Sequence, residues 1–214
     1  MKIAEGLHAF LWQSSMENNC NTYLVQGEKT VLVDPGHRHL FSHVEQGLRR
    51  LGLAVEAVDL VVATHAHPDH LEGVSKFPKN TLFAMSEEDC RFLQSMASGR
   101  YALPEPDFFL RKGDFAVGDL SFRVFPTPGH SPGSISLYLE SLKALFTGDV
   151  VFSQGIGRTD LPGGSGRVLR DSIEKLRRLP VDYLLPGHGN PLQGREAVEK
   201  NFQIIEEYWY PYLR

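Results

Sequence analysis

Six consecutive residues, His65-Ala66-His67-Pro68-Asp69-His70, hold three imidazoles and a carboxylate directly after the apolar run Leu60-Val61-Val62-Ala63. Packing a core does not call for such a concentration. Binding a metal does, because neutral imidazole and carboxylate are ordinary nitrogen and oxygen donors. Pro68 prevents a regular helix from running through the segment and biases His67 towards an extended conformation. Side chains alternate along an extended segment, so His65 and His67 point to one side. A helix starting at the proline turns Asp69 and His70 towards a neighbouring position. One loop is thus able to serve two adjacent cations.

A cation wants four or more donors, so others must come from further along the chain. Thr127-Pro128-Gly129-His130-Ser131-Pro132-Gly133 sets a histidine in a turn whose backbone Pro and Gly nearly fix. Phe146-Thr147-Gly148-Asp149 ends a strand-like run with a carboxylate just past a glycine. Leu184-Leu185-Pro186-Gly187-His188-Gly189 repeats the design: apolar strand, tight turn, histidine. Each donor sits where a strand gives way to a loop, the usual place for function on an α/β scaffold. Gly-Asp is also a common turn, so Asp149 draws its weight from this company.

With these segments in this order, the chain resembles the metallo-β-lactamase fold superfamily along nearly its whole length. The likeness runs from Asn21-Thr22-Tyr23-Leu24-Val25 and Val31-Leu32-Val33-Asp34-Pro35-Gly36 to Pro186-Gly187-His188-Gly189. Within the superfamily it is most similar to the glyoxalase II (hydroxyacylglutathione hydrolase) branch. Gly148-Asp149-Val150-Val151-Phe152 and Gly157-Arg158-Thr159-Asp160-Leu161-Pro162-Gly163-Gly164 carry that closer likeness. The resemblance implies a single domain over residues 1–214, an α/β fold built as an αββα four-layer sandwich, two mixed β-sheets flanked by helices. It implies one metal on His65, His67 and His130, a second on Asp69, His70 and His188, and Asp149 bridging both. It also implies a cation, Arg158, near the substrate's carboxylates; pairing with Asp160 is the structural alternative. The branch's helical region that grips glutathione has no counterpart past a helix over 195–209, so no glutathione contact transfers.

Two cations bridged by Asp149 lower the pKa of a shared water towards neutrality and polarise a carbonyl. Asp69 then serves both as ligand and as hydrogen-bond acceptor for the attacking hydroxide. A thiolate, whose conjugate acid has a pKa of about 8.5, departs without a proton donor; an amine needs a general acid. None is evident beside these donors, which favours a thioester, a glutathione thioester first, or a related ester. The expected cofactors are two divalent ions, zinc first, with iron or manganese as alternatives because N/O donors do not choose sharply. The leading rival is a mononuclear iron persulfide dioxygenase of the same superfamily, on the facial triad His65, His130 and Asp149. Retention of His67, Asp69, His70 and His188 favours the hydrolase. A net charge of -4 and the lack of a basic arm disfavour a nuclease or phosphodiesterase. The branch likeness and the absence of a signal peptide disfavour β-lactam hydrolysis. The intact donor set disfavours a catalytically silent binding module.

The frame that must position these residues reads as ordinary and globular, with 42% hydrophobic and 22% charged residues over 214 positions. Two cysteines, Cys20 and Cys90, are too few for a disulfide framework and point to a reducing interior. Met1 to Gly6 lacks an apolar leader and no stretch is of membrane length. The expectation is a cytoplasmic protein whose partner is a small-molecule substrate, not nucleic acid or membrane, with the oligomeric state open. The runs 23–25 and 30–33 read as a hairpin, and 57–63 and 81–84 as strands. Residues 115–125 and 135–146 carry short, alternating, strand-like runs. Helical patterns cover 41–51, 167–179 and 195–209, and Ser86 caps a helix with an acidic start. Asp34 is a candidate to hold a ligand histidine or to start its own turn; Thr64 and Ser131 are candidates for local support. Ser98 to Pro106 reads as a surface loop bordering the pocket. The aromatic tail Tyr208, Trp209, Tyr210 and Tyr212 reads as packing for the last helix, with a pocket lining as the alternative.

Overall fold

The candidate donors lie in segments that follow strand ends, not in strand interiors, and two sheets bring those ends to one edge. The computed structural model describes residues 1–96 and 105–214. The first sheet holds, in spatial order, β1 (Lys2–Ala4), β2 (Leu7–Phe10), β3 (Thr22–Gln26), β4 (Thr30–Val33), β5 (Leu60–Val62), β6 (Leu82–Met85) and β7 (Phe108–Phe109). Its first four strands pair antiparallel and β4 to β7 pair parallel. The second sheet draws on β8 (Gly113–Val117), β9 (Leu120–Pro126), β10 (Ile135–Leu139), β11 (Ala144–Gly148), β14 (Tyr183–Pro186) and β15 (Leu192–Gln193). Their order is β15-β14-β11-β10-β9-β8, with β11 and β14 the parallel pair. Both sheets are mixed, as expected. A small ribbon, β12 (Val151–Phe152) with β13 (Gly155–Ile156), lies beyond β11.

Period-two alternation explains the layers. Tyr23, Val25, Val31, Val33, Leu60 and Val62 pack inward against Phe122, Val124, Leu137, Phe146 and Leu185 of the other sheet. The alternate residues Leu24, Leu32 and Val61 face outward onto Val44 and Leu48 of α1 (Ser42–Arg50). On the far side Tyr138, Leu145 and Leu184 meet α4 (Gly166–Leu176) and α5 (Arg195–Tyr208) through Leu169, Ile173, Phe202 and Ile205. Each such side chain contributes about 1.5–3 kcal/mol by leaving water. The result is the αββα sandwich, with α2 (Pro68–Leu71) and α3 (Glu87–Met96) also on the first sheet's side.

Several boundaries differ from the sequence reading. Expected strand 57–63 shortens to β5, because a 3₁₀ turn takes Val55–Ala57. The run 115–125 is a hairpin turning at Gly118 (φ 58°), and 135–146 is another turning near Lys143 (φ 51°). The helix expected over 167–179 stops at Leu176. Strands β1 and β2 carry no signal that the sequence reading caught. Ser86 does cap α3, its Oγ accepting the Asp89 amide at 3.2 Å. Of the expected loop Ser98 to Pro106, residues 98–104 lie outside the described residues. Among the described residues, no helix is long and apolar enough to cross a membrane.

Candidate metal centre

The hexapeptide adopts the conformation that its proline implies. His67 is extended (φ -74°, ψ 144°) and Pro68 opens α2, so Asp69 and His70 turn away from His65 and His67. Two donor groups result: His65, His67 and His130 in one, and Asp69, His70 and His188 in the other. Asp149, just past β11, reaches both, with Oδ2 3.5 Å from His130 Nε2 and 3.4 Å from His188 Nε2. All seven expected donors are brought together.

Hydrogen bonds on the far side of the His65 and His130 rings fix which nitrogen faces inward. Thr64 Oγ1 donates to Asp34 Oδ2 at 2.8 Å and accepts from His65 Nδ1 at 3.1 Å. His130 Nδ1 donates to the Arg158 carbonyl at 2.8 Å. Both Nε2 atoms therefore present lone pairs, and both face His67 Nδ1, at 3.0 and 2.8 Å. A single proton on that nitrogen serves only one of them. Three imidazole nitrogens converge with more lone pairs than protons, an arrangement suited to a cation.

The second group repeats the logic with carboxylates. His70 Nδ1 donates to Asp34 Oδ2 at 2.9 Å, which turns Nε2 towards Asp149 Oδ1 at 3.2 Å and His188 Nε2 at 3.3 Å. His188 Nε2 lies 3.3 Å from Asp69 Oδ2. Among the described residues Asp149 Oδ1 is buried with no hydrogen-bond donor: His70 is near enough but not aligned. A carboxylate oxygen so placed is costly unless a cation meets it. The donor set fits a pair of divalent ions.

Protonation follows the same division. Burial holds His65 well below the ordinary imidazole range, and burial with the nearby His130 brings His67 down to about 4. Both are neutral near pH 7, the form that binds metal. Burial also opposes charge on His188, but the Asp149 and Asp69 carboxylates outweigh it and lift the ring to about 9. His70 likewise goes well above the usual value against burial, because Asp149 and Asp34 face it. Burial would raise Asp149 and Asp69, yet the imidazoles His70 and His188 hold both carboxyls well below the usual range. This half of the cluster demands positive charge, for which protons and metal compete.

Asp34 takes the first of the two roles read for it, holding a ligand histidine, and among the described residues its carboxylate makes no bond to a turn of its own. It sits at φ 56° after β4, and its carboxylate takes the Thr64 amide at 2.7 Å as well as His70 and the Thr64 hydroxyl. The Arg158 guanidinium pairs with exposed Asp160 at 2.8 and 3.0 Å, while its carbonyl orients His130. Ser131 donates to Asp89 at 2.7 Å. Asp89 itself escaped the sequence reading, where it counted only as an acidic residue of a helix start. Its Oδ2 also takes the Ala66 amide at 2.8 Å and its Oδ1 the Gly133 amide at 2.6 Å. Asn18 escaped as well: its Nδ2 donates to Asp69 Oδ2 at 2.6 Å from an irregular loop with no motif. Asn21 and Tyr23 hold the His188 turn through the Pro186 carbonyl, at 3.1 and 2.7 Å. The aromatic tail divides. Tyr210 is buried and donates to Glu174 at 2.7 Å, whereas Tyr208, Trp209 and Tyr212 border an open groove with Gln154.

Comparison with known proteins agrees with this geometry. Residues 16–188 match the family model described as the Metallo-beta-lactamase superfamily. A probable metallo-hydrolase of Methanocaldococcus jannaschii is 32% identical over 79% of this chain and 87% of its own. The hydroxyacylglutathione hydrolase GloC of Haemophilus influenzae is 28% identical over 83% of this chain and 88% of its own. The crystal structure of TTHA1623 in a di-iron-bound form is 30% identical, with a TM-score of 0.66 over 91% of this chain and 95% of that one.

Proposed function

The chain belongs to the metallo-β-lactamase superfamily as a metallo-hydrolase, and we propose that its reaction is hydrolysis of a thioester, a glutathione thioester first, at two divalent ions, zinc first. The observation that carries this reading is Asp149, whose carboxylate reaches both histidine groups and, among the described residues, has one buried oxygen without an aligned hydrogen-bond donor. His65, His67 and His130 would hold one ion, and Asp69, His70 and His188 the other. When bound, such ions supply Lewis acidity towards water and towards a substrate carbonyl.

The protein's own residues supply orientation and proton control. Asp34, Thr64 and the Arg158 carbonyl fix three ring orientations, so that in each neutral ring the inward nitrogen is the one that carries the lone pair. Asp69 Oδ2 receives Asn18 on one side and stands beside His188 on the other, placed to accept a hydrogen bond from an attacking water. Among the described residues, the groups hydrogen-bonded to the seven donors are Asn18, Thr64, Asp34 and the Arg158 carbonyl. None is a general acid for a poor leaving group, and a thiolate needs none. The Haemophilus influenzae relative, named for hydrolysis of an acylated glutathione, supports the same substrate class. Arg158, exposed beside the centre, is proposed to meet the substrate's carboxylates in exchange for Asp160.

Metal analysis of the protein purified without added metal, paired with thioester turnover, tests the reading. Two ions per catalytic centre with turnover support it. A single iron with thiol-dependent oxygen uptake and no thioester cleavage would replace it with the persulfide dioxygenase. The di-iron form of the relative shows why metal identity must be measured directly.

A further inference from the structure

Away from the seven donors, His37, His39 and Glu72 each bring a ligand atom to within 4.8 Å of the other two. His37 Nδ1 lies 2.9 Å from Glu72 Oε2, and the two imidazole rings are 5.0 Å apart. His37 and Glu72 are mostly covered, with side chains 20% and 19% exposed, while His39 is 61% exposed. The backbone holds this group in place. The His37 amide donates to Asn19 Oδ1 at 2.8 Å, and the Gly73 amide to the Gly36 carbonyl at 2.7 Å, which fastens the two segments together. Glu17 adds a carboxylate 3.6 Å from His39 Nε2.

We infer that His37, His39 and Glu72 form an accessory site for a divalent transition cation of the zinc class, separate from the catalytic centre, with Glu17 near enough to add a fourth donor. Two imidazoles and a carboxylate select zinc, nickel or copper over magnesium or calcium, which prefer all-oxygen sets. Tetrahedral bonds of about 2.0–2.1 Å space neighbouring ligand atoms about 3.3 Å apart. The His37–Glu72 pair reaches that spacing by opening a few tenths of an ångström, as a cation replaces the proton between them. Exposed His39 is free to swing in, and water completes the shell.

The site would also clamp the catalytic loop. Glu17 adjoins Asn18, which donates to Asp69, and Glu72 follows α2, which carries Asp69 and His70. A cation held by Glu72 and the 37–39 turn, with Glu17 engaged, ties both neighbours of Asp69 to one point. This inference does not depend on which substrate the centre cleaves.

Equilibrium dialysis of the full chain against micromolar Zn2+, followed by elemental analysis, tests it. The wild type is expected to carry one zinc per chain more than His39→Ala and more than Glu72→Gln, whatever number the catalytic centre takes. The same His39-dependent equivalent should persist in a His65→Ala background, where the centre is impaired. Thermal melting of each variant verifies that it folds. Equal zinc in the wild type and both single variants would overturn the site; so would loss of the extra equivalent in the His65→Ala background.

Discussion

Asp89 and Ser131 are joined by a hydrogen bond of 2.7 Å, and the same carboxylate oxygen takes the Ala66 amide at 2.8 Å. One buried side chain on α3 thus locks the loop of His65 and His67 to the loop of His130. Burial pushes the Asp89 carboxyl up, and its three donors act against that shift. Replacing it by alanine leaves the Ala66 and Gly133 amides unanswered, at about 1–3 kcal/mol each. Asp89→Ala is expected to lose roughly 3 kcal/mol or more of stability and about 10–100-fold in metal affinity. Denaturant unfolding and competition with a zinc chelator measure the two effects. Wild-type zinc affinity in the variant would remove the positioning role.

Gly187 and Asp149 give a second test. A Cβ at Gly187 would stand 2.6 Å from His70 Cε1 and closer still to Asp149 Oδ1. The glycine before His188 therefore provides clearance for two neighbouring donors. Gly187→Ala should keep its secondary structure and lose bound metal and turnover together, by about 10-fold or more, the effect of disturbing a ligand's support. Circular dichroism alongside metal content separates this outcome from misfolding. A fully loaded, fully active variant would show that the centre has slack at Asp149.

These two residues also show how far the sequence could be read. The donors were legible because three imidazoles and a carboxylate in one hexapeptide have no packing explanation, and Pro68 dictates how they divide. The two-sheet sandwich was legible from strand-like alternation and its helical flanks. Asp89 was hidden because a carboxylate in the first turn of a helix already has a sufficient local reason, the helix dipole. Only the long-range approach of 131–133 and Ala66 reveals its use. Gly187 was read as a turn residue, since spatial clearance leaves no mark on local pattern. The parallel pairings of β4, β5 and β6 join segments far apart in the chain and have no local signature. Strands β1 and β2, Lys2-Ile3-Ala4 and Leu7-His8-Ala9-Phe10, lack the β-branched or aromatic runs that mark β3 and β4.

Metal-dependent stability should vary with pH in a fixed direction. His188 is lifted to about 9 by Asp149 and Asp69 against its burial, above the unfolded value of about 6.5. Its protonation therefore stabilises the metal-depleted fold fully below pH 6.5, and that contribution disappears as pH rises through about 9. Metal must displace that proton, so zinc binding strengthens over the same window. The gap in Tm between zinc-loaded and chelator-treated protein is expected to widen from pH 6.5 to pH 9. Calorimetric titration in buffers of different ionisation enthalpy should show proton release near pH 7. A gap that narrows with pH would contradict the carboxylate–imidazole coupling.

Asn18 and Asp69 supply the most specific kinetic test. Asn18 Nδ2 donates to Asp69 Oδ2 at 2.6 Å, and Asn18 is otherwise exposed. Its removal should leave the fold intact and free Asp69 to turn. A hydrogen bond to an ionised acceptor at a partly open position contributes about 1 kcal/mol, which is roughly fivefold in rate. Asn18→Ala should therefore lower kcat about fivefold, with KM nearly unchanged, because the lost interaction orients Asp69 and need not touch substrate. His188→Ala, by contrast, should lose metal and turnover together. The contrast separates orientation from ligation. If Asn18→Ala instead raised KM alone, Asn18 would belong to substrate binding, and the orienting role assigned through Asp69 would be wrong.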